Sequence, residues 1–141
     1  MSLFYIDSSA LVKLVREEPE SANLRAFLAI EDLVSSELVL TEVPRAVRRA
    51  AAVEPALPLE QLIERAGELL DAVALYPLDR TLLAAAGALA EPALRALDAI
   101  HVATALDLGQ IDAFVSYDDR QAAAARLGGL RTAAPGAGLQ S

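Results

Sequence analysis

Residues 4–12, FYIDSSALV, join an apolar run to an aspartate and two serines. A short unbroken apolar run such as residues 3–6 is typical of a strand that is buried on both faces of a sheet. The two serines after Asp7 are good N-caps, so we expect a helix over residues 10–18. The pattern predicts a strand followed by a helix, with the carboxylate of Asp7 at the carboxyl end of the strand.

Short apolar runs and amphipathic helices alternate along the rest of the chain. We predict further strands near residues 33–35, 73–78, 112–119 and 130–132, and helices near residues 22–29, 36–52, 58–71, 80–90, 93–109 and 119–127. Strands that alternate with helices favour right-handed crossovers and a mainly parallel sheet covered on both faces. The sequence therefore predicts an α/β fold, a three-layer α/β/α sandwich with a mainly parallel sheet of four to five strands. We expect one domain over residues 1–132 and a short flexible tail over residues 133–141.

The composition limits the kinds of site that this chain can form. Of its 141 residues 55% are hydrophobic, which is enough for a substantial core, and none is cysteine. Disulfides, thiolate metal sites and cysteine nucleophiles are therefore excluded, as expected for a cytoplasmic protein. We expect no membrane span and, because the first residues carry no basic stretch, no secretory signal.

The net charge is −8, from 20 acidic and 12 basic side chains. Such a charge argues against a nucleic-acid partner, since binding to phosphate depends on lysine and arginine. A metal-dependent enzyme escapes this objection if its carboxylates hold divalent cations between the protein and the phosphate. Composition alone leaves both interpretations open.

Four acidic residues stand out by their positions in the predicted elements. Asp7 and Asp118 lie at the carboxyl ends of predicted strands, where open parallel sheets form their sites. Glu42 borders the apolar face of its helix, and Asp98 lies on the shoulder of a helix whose polar side we assign to His101 and Thr104. Carboxylates against apolar neighbours are costly to desolvate unless something pairs with them. Together the four predict an all-oxygen site for a hard cation, Mg²⁺ or Mn²⁺.

Each acid also has a plainer interpretation. Asp7 could cap the first helix, and Asp118 could cap the helix that follows it. Glu42 could form an exposed ion pair with Arg45, three residues later. Asp98 could be favoured by the helix dipole in an early turn.

The single histidine and several arginines are further candidates. His101 lies one turn from Asp98, but a lone histidine on a helix is more often structural. Arg45, Arg49 and Arg95 are candidate contacts for the phosphate backbone of a nucleic acid, and for Arg45 and Arg49 a solvated stripe that offsets nearby acids is the alternative.

Four motifs make the chain resemble a known family. They are FYIDSSALVKL, SELVLTEVPRAVRR, ALRALDAIHVATAL and FVSYDDRQAAAARLGGL. These segments resemble the successive motifs of PIN-domain ribonucleases, and most of all the VapC-type toxins of bacterial toxin–antitoxin pairs. The resemblance runs from about residue 3 to residue 132, and LDAIHVATA is its most specific part.

The resemblance implies a function and assigns roles to individual residues. It implies a PIN-like fold and a Mg²⁺-dependent endoribonuclease that forms a homodimer and binds a small antitoxin protein. The acidic positions of the family, as catalytic residues and metal ligands, carry over to Asp7, Glu42, Asp98 and, as the more variable fourth, Asp118. Supporting hydroxyl groups carry over to Ser9 and Ser116, the latter standing where many relatives have threonine.

Other function classes remain open from the sequence. A housekeeping RNA-processing nuclease would carry the same acids. A Mg²⁺-dependent phosphatase of the haloacid-dehalogenase kind is less favoured, because such an enzyme is expected to have D-x-D where this chain has Asp7-Ser8-Ser9. A non-catalytic interaction module is disfavoured by the presence of all four acids.

Overall fold

The computed structural model describes residues 2–29 and 31–138. In chain order these residues form β1 (Leu3–Ile6), α1 (Ser8–Val15), α2 (Ser21–Leu28), β2 (Asp32–Ser36), α3 (Val39–Val53), α4 (Leu59–Ala72), β3 (Ala74–Tyr76), α5 (Arg80–Gly87), α6 (Ala96–Leu108), β4 (Ala113–Val115), α7 (Asp119–Leu127) and β5 (Thr132–Ala133). The elements form a three-layer α/β/α sandwich, which confirms the predicted fold class.

The five strands form one parallel sheet in the order β3-β2-β1-β4-β5. The first strand of the chain is therefore the central one, and the chain builds outward from it on both sides. In register, Ile6 of β1 pairs with Val115 of β4. The residues that follow these two, Asp7 and Ser116, therefore leave the sheet next to each other.

Successive side chains of β1 point to opposite faces of the sheet and reach two different cores. Phe4 and Ile6 pack in a cluster with residues of α1 to α4, while Tyr5 packs with residues of α6 and α7. The rings of Tyr5 and Phe114 are stacked at 5.3 Å between centroids. Burial on both faces explains why β1 is an unbroken apolar run rather than an alternating one.

Several element boundaries differ from those predicted. The first helix begins at Ser8 and ends at Val15, and its N-cap is Asp7 rather than one of the two serines. The third helix begins only at Val39, because the backbone is still in β2 at Ser36. The last strand, β5, includes Ala133, one residue beyond the predicted end of the domain. Residues 139–141 of the predicted tail lie outside the described residues.

No helix within residues 2–29 and 31–138 combines the length and the apolar character needed to cross a membrane.

Candidate active site

Asp7 lies at the centre of the site and is fully buried. Its Oδ1 accepts hydrogen bonds from the backbone N–H of Ala10, at 3.0 Å, and from the hydroxyl of Ser9, at 2.7 Å. Its Oδ2 accepts a hydrogen bond from the hydroxyl of Ser116, at 2.6 Å. Asp7 therefore does cap α1, as its plainer interpretation has it, but the second oxygen reaches across the sheet to the end of β4.

Burial raises the pKa of the Asp7 carboxyl above its usual range, because the charge is withdrawn from water. The three hydrogen bonds oppose this rise, and so would a positive charge on the nearby imidazole of His101. A cation next to the carboxylate would favour the ionised form in the same way. The site therefore has one buried acid whose charge a metal ion would stabilise.

Asp118 is connected to Asp7 through Ser116. The Ser116 hydroxyl donates to Asp7 and accepts from the backbone N–H of Asp118, at 3.0 Å. The Oδ1 atom of Asp118 accepts from the backbone N–H groups of Arg120 and Gln121, at 2.9 and 3.2 Å. Asp118 is thus the N-cap of α7, the alternative considered for it, and the cap occupies its Oδ1.

Asp98 is half-buried in the first turn of α6. Its Oδ2 lies 3.4 Å from the backbone N–H of Arg95, and its Oδ1 accepts from the side-chain amide of Gln121 at 3.0 Å. Gln121 is only 4% exposed, and its Oε1 has no hydrogen-bond partner among the described residues. The sequence analysis missed Gln121, although one amide in the alanine-rich run of α7, three residues after Asp118, was a signal for it.

Glu42 is held by His101 rather than by Arg45. Its Oε1 lies 2.6 Å from Nε2 of His101, whose Nδ1 is 2.7 Å from the hydroxyl of Tyr5. Both His101 and Tyr5 are fully buried. The pair that the sequence suggested, between Glu42 and Arg45, is absent from the ion pairs of the described residues.

The predicted polar side of α6 was wrong. His101 and Thr104 are both fully buried, and the Thr104 hydroxyl donates to the backbone carbonyl of Ile100 at 2.6 Å. The reason is that α6 packs against α5, α7 and the sheet, so its central turns have almost no solvent-facing side. Asp98, nearer the start of the helix, keeps partial exposure.

A series of hydrogen-bonded residues therefore connects three of the four acids. Asp7 is bonded to Ser116 and Ser116 to the backbone N–H of Asp118; the Asp118 carboxylate is bonded to the backbone N–H of Gln121, whose side-chain amide donates to Asp98. Glu42 is not part of this series and is hydrogen-bonded to His101 instead. Within residues 2–29 and 31–138 no three histidine, aspartate or glutamate side chains converge closely enough to form a metal site. The donor chemistry, carboxylate oxygens with the unpartnered amide oxygen of Gln121 beside them, nevertheless suits a hard divalent cation.

An open groove of about 530 Å³ lies beside these acids. Of the four predicted acids only Glu42 lines it. The lining combines two carboxylates, hydroxyl groups, basic side chains and apolar ones, contributed by Ser8, Ser9, Val12, Lys13, Glu18, Thr41, Glu42, Arg45, Ala46, Arg49, Leu97 and Tyr117. Lys13 is already engaged, since its ammonium group pairs with Glu18 and Glu20 and lies 4.8 Å from the centre of the Tyr117 ring. Two of the three arginines predicted to contact nucleic acid, Arg45 and Arg49, line the groove. The third, Arg95, is exposed at the start of α6 and does not line it.

Comparison with known proteins places this arrangement in a family. The model of the PIN domain matches residues 4–127. The chain belongs to the PIN domain family. This membership confirms the resemblance inferred from the four motifs.

Curated relatives match this PIN domain over nearly its whole length. Ribonuclease VapC47 of Mycobacterium tuberculosis (strain CDC 1551 / Oshkosh) is 38% identical over 141 residues, covering 96% of this chain and 98% of the relative. Ribonuclease VapC46 of Mycobacterium tuberculosis (strain ATCC 25618 / H37Rv) is 40% identical over 138 residues, covering 96% and 99%.

Solved structures share the fold at lower identity. Mycobacterium tuberculosis VapC20, described as a sarcin-ricin loop cleaving toxin, superposes with a TM-score of 0.69 at 18% identity, over 86% of this chain and 94% of that one. VapBC2 from Rickettsia felis, bound to a DNA fragment from its promoter, gives a TM-score of 0.66 at 14% identity, over 93% and 97%. These likenesses support the α/β/α architecture of the PIN domain described above.

Proposed function

We propose that this protein is a metal-dependent endoribonuclease and the toxin of a toxin–antitoxin pair. The observation that carries the proposal is the fully buried carboxylate of Asp7, linked by hydrogen bonds to Asp118 and Asp98 beside an open groove with two arginines. Its relatives at 38% and 40% identity are named ribonucleases, which supports the same activity here.

Mg²⁺, with Mn²⁺ as the alternative, is the cofactor that fits the oxygen donors of this site. Asp7 and Asp98 would hold the ion directly or through water, with Glu42 and Asp118 completing the acidic set. A divalent ion held by these residues would supply a water of lowered pKa, and so a nucleophile for phosphorus near neutral pH. This chemistry requires no histidine as a general base.

The protein's own side chains act around that reaction. The hydroxyl groups of Ser9 and Ser116 donate to Asp7 and favour the ionised form of its carboxylate, which opposes the effect of burial. The Oε2 atom of Glu42, which accepts no hydrogen bond from the described residues, can accept one from the attacking water and so orient it.

Approach of RNA to an acidic protein needs positive charge near the site. Two bound divalent ions would reduce the formal net charge of the protein from −8 to −4. Arg45 and Arg49, exposed along the groove, are the side chains that we assign to the phosphate backbone. Arg95, at the start of α6, is a further candidate that would meet RNA outside the groove.

The proposed partners are a small antitoxin protein and a second copy of this chain, in the cytoplasm. The name of the Rickettsia felis structure, VapBC2, includes a second component beside VapC, which supports a protein partner here. An arginine or lysine side chain from an antitoxin could enter the acidic site in place of the metal, which would give inhibition an electrostatic basis.

The deciding experiment is cleavage of total cellular RNA by the purified protein. Reactions would contain Mg²⁺, Mn²⁺ or EDTA, and the Asp98→Asn variant would run in parallel with Asp71→Asn, which changes an exposed aspartate of α4. We expect discrete fragments with metal that vanish with EDTA and with Asp98→Asn but persist with Asp71→Asn. A folded wild-type protein that cuts no RNA, or an Asp98→Asn variant as active as the wild type, would contradict the proposal.

A further inference from the structure

His101 lies between two other side chains in the interior of the protein. Tyr5 of β1, His101 of α6 and Glu42 of α3 form a row joined by contacts of 2.7 Å and 2.6 Å. The three residues are far apart in sequence and come from three different elements. The proposed reaction uses Glu42 but gives His101 and Tyr5 no part in it.

The partners of His101 determine which ring nitrogen carries the proton. An ionised carboxylate can only accept a hydrogen bond, so Nε2 must donate to Oε1 of Glu42. In the neutral ring Nδ1 is then an acceptor, and the hydroxyl of Tyr5 donates to it. Burial raises the pKa of the Tyr5 hydroxyl, so the proton that it donates stays in place.

The surrounding packing keeps this row in one geometry. The ring of Tyr5 is stacked on Phe114 with an angle of 3° between the planes, and it meets His101 edge-on at 5.9 Å between centroids. With His101 fully buried, the imidazole has no room to adopt another orientation without leaving both partners. The donor offered to Glu42 is therefore fixed in space.

The row leaves one oxygen of Glu42 for the groove. Oε1 is occupied by His101, whereas no donor within residues 2–29 and 31–138 reaches Oε2. Glu42 itself lines the groove beside Arg45 and Arg49. Without His101, the flexible glutamate side chain would be free to turn towards these arginines, three and seven residues along the same helix.

We infer that His101 is a positioning residue, which holds Glu42 through its Nε2–H so that Oε2 is presented to the groove, and that Tyr5 fixes the tautomer required for this. The inference rests on the proposed function, in which Glu42 orients the attacking water. The competing interpretation is a buried histidine that merely satisfies its two hydrogen bonds. The two differ in whether the bond to Glu42 matters for turnover separately from folding.

The first test is independent of activity and of bound metal. Because the chain has a single histidine, long-range ¹H–¹⁵N spectra of the metal-free protein report on His101 alone. We expect the pattern of an Nε2-protonated ring, with Tyr5→Phe changing the Nδ1 signal and Glu42→Gln changing the Nε2 signal. Tyr5→Phe keeps the aromatic stack and removes only the hydroxyl. An Nδ1-protonated ring in the wild-type protein, or an Nε2 signal unchanged by Glu42→Gln, would overturn the inference.

The second test uses two matched substitutions of His101. The amide nitrogen of glutamine reaches about as far from the backbone as Nε2 of histidine, whereas that of asparagine reaches only as far as Nδ1. His101→Gln can therefore still donate to Glu42, and His101→Asn cannot. We expect His101→Asn to lower kcat by about 10- to 100-fold, as for other groups that orient site residues, and His101→Gln to lose much less, with KM little changed in both.

Thermal unfolding of both variants shows whether a loss of kcat comes from misfolding. Equal losses of kcat in two variants that remain folded, or a change confined to KM, would overturn the inference. A wild-type protein that has the expected spectrum but cuts no RNA would instead overturn the proposed function, while the contact between His101 and Glu42 would stand.

Discussion

Removing the hydroxyl of Ser116 tests how the buried charge of Asp7 is maintained. That hydroxyl donates to Oδ2 of Asp7 at 2.6 Å and accepts from the backbone N–H of Asp118 at 3.0 Å, in a side chain only 2% exposed. In Ser116→Ala, Oδ2 keeps no donor from residues 2–29 and 31–138, because Ser9 and Ala10 both donate to Oδ1. A carboxylate oxygen without a partner inside the protein is costly, so the change should lower the free energy of unfolding.

The size of this effect follows from the type of bond that is lost. A hydrogen bond to a charged group contributes about 1.5–3 kcal/mol, and the bond from the N–H of Asp118, which is partly exposed, adds less. We expect Ser116→Ala to lower the free energy of unfolding by about 2–3 kcal/mol, which for a domain of this size is a fall of roughly 5–15 °C in Tm. The control is Ser35→Ala, since the Ser35 hydroxyl is equally buried but donates to a neutral carbonyl, that of Ile6, at 2.6 Å. That variant should lose only about 1 kcal/mol.

The pH dependence distinguishes the charge from the packing. The Ser116 hydroxyl lowers the pKa of Asp7 while burial raises it, so removing the hydroxyl raises that pKa further. The folded variant then binds the proton of Asp7 more tightly than the folded wild type, and the loss of stability grows as the pH rises. The assay is denaturant unfolding followed by circular dichroism between about pH 4 and 8 in EDTA. If both variants lost the same free energy at every pH, the reasoning about a charged Asp7 would be refuted.

Three further predictions concern the charge of the site, its contacts with RNA and one backbone turn. Asp7→Asn should lower the rate of RNA cleavage by at least about 100-fold, because loss of even a residue that hydrogen-bonds to a metal ligand lowers activity by about 10- to 100-fold. The same variant should be more stable than the wild type at pH 7, because the raised pKa of Asp7 in the folded protein makes its ionised carboxylate destabilising. The gain in stability should vanish at acidic pH, where the Asp7 of the wild type is protonated. An unfolding midpoint below that of the wild type at pH 7 would contradict this. Replacing both Arg45 and Arg49 with alanine should raise KM and leave kcat nearly unchanged. The slope of log KM against the logarithm of the salt concentration should fall by about 1 for each phosphate contact that is lost. An unchanged slope would exclude these contacts. Gly109→Ala should cost about 1–2 kcal/mol, since Gly109 has a φ of +71° and an added Cβ would meet only the backbone oxygen of Leu106, at 3.9 Å, so that the cost comes from the backbone. Gly67→Ala, at an exposed position of α4, should instead gain about 0.5–1 kcal/mol. Thermal unfolding compares the two variants, and equal effects would argue against backbone strain at Gly109.

The order of strands and helices was predictable because it depends on local patterns. The unbroken apolar run before Asp7 identified β1, and the acids after two strands pointed to one edge of the sheet, because open α/β sheets form their sites at the carboxyl ends of the strands. The N-cap of α1 was less predictable, since any of three successive polar residues, Asp7, Ser8 and Ser9, could have filled it. Asp7 is the N-cap because the register of β1 and β4 places its carboxylate within hydrogen-bonding distance of both the N–H of Ala10 in α1 and the hydroxyl of Ser116.

The contacts within the site were not predictable, because they join residues far apart in the chain. Glu42 and His101 are 59 positions apart, and Asp98 meets Gln121 across 23 positions. Helical periodicity assigned His101 to a polar side since it assumes one buried face and one exposed face. In α6 that assumption fails, because neighbours cover the helix on nearly all sides. Whether the acids together hold a metal stays a prediction.

The central position of the first strand has a consequence for the order in which the protein is made. Asp7 is synthesised before Asp98, Ser116 and Gln121, which follow it by 91 residues or more. Until β4 pairs beside β1, the carboxylate of Asp7 lacks the hydroxyl of Ser116, and Asp98 lacks the amide of Gln121. A nascent chain therefore cannot assemble the site before β4, Ser116 and Gln121 have been made. For the endoribonuclease that we propose, a chain that ends before these residues lacks the complete site.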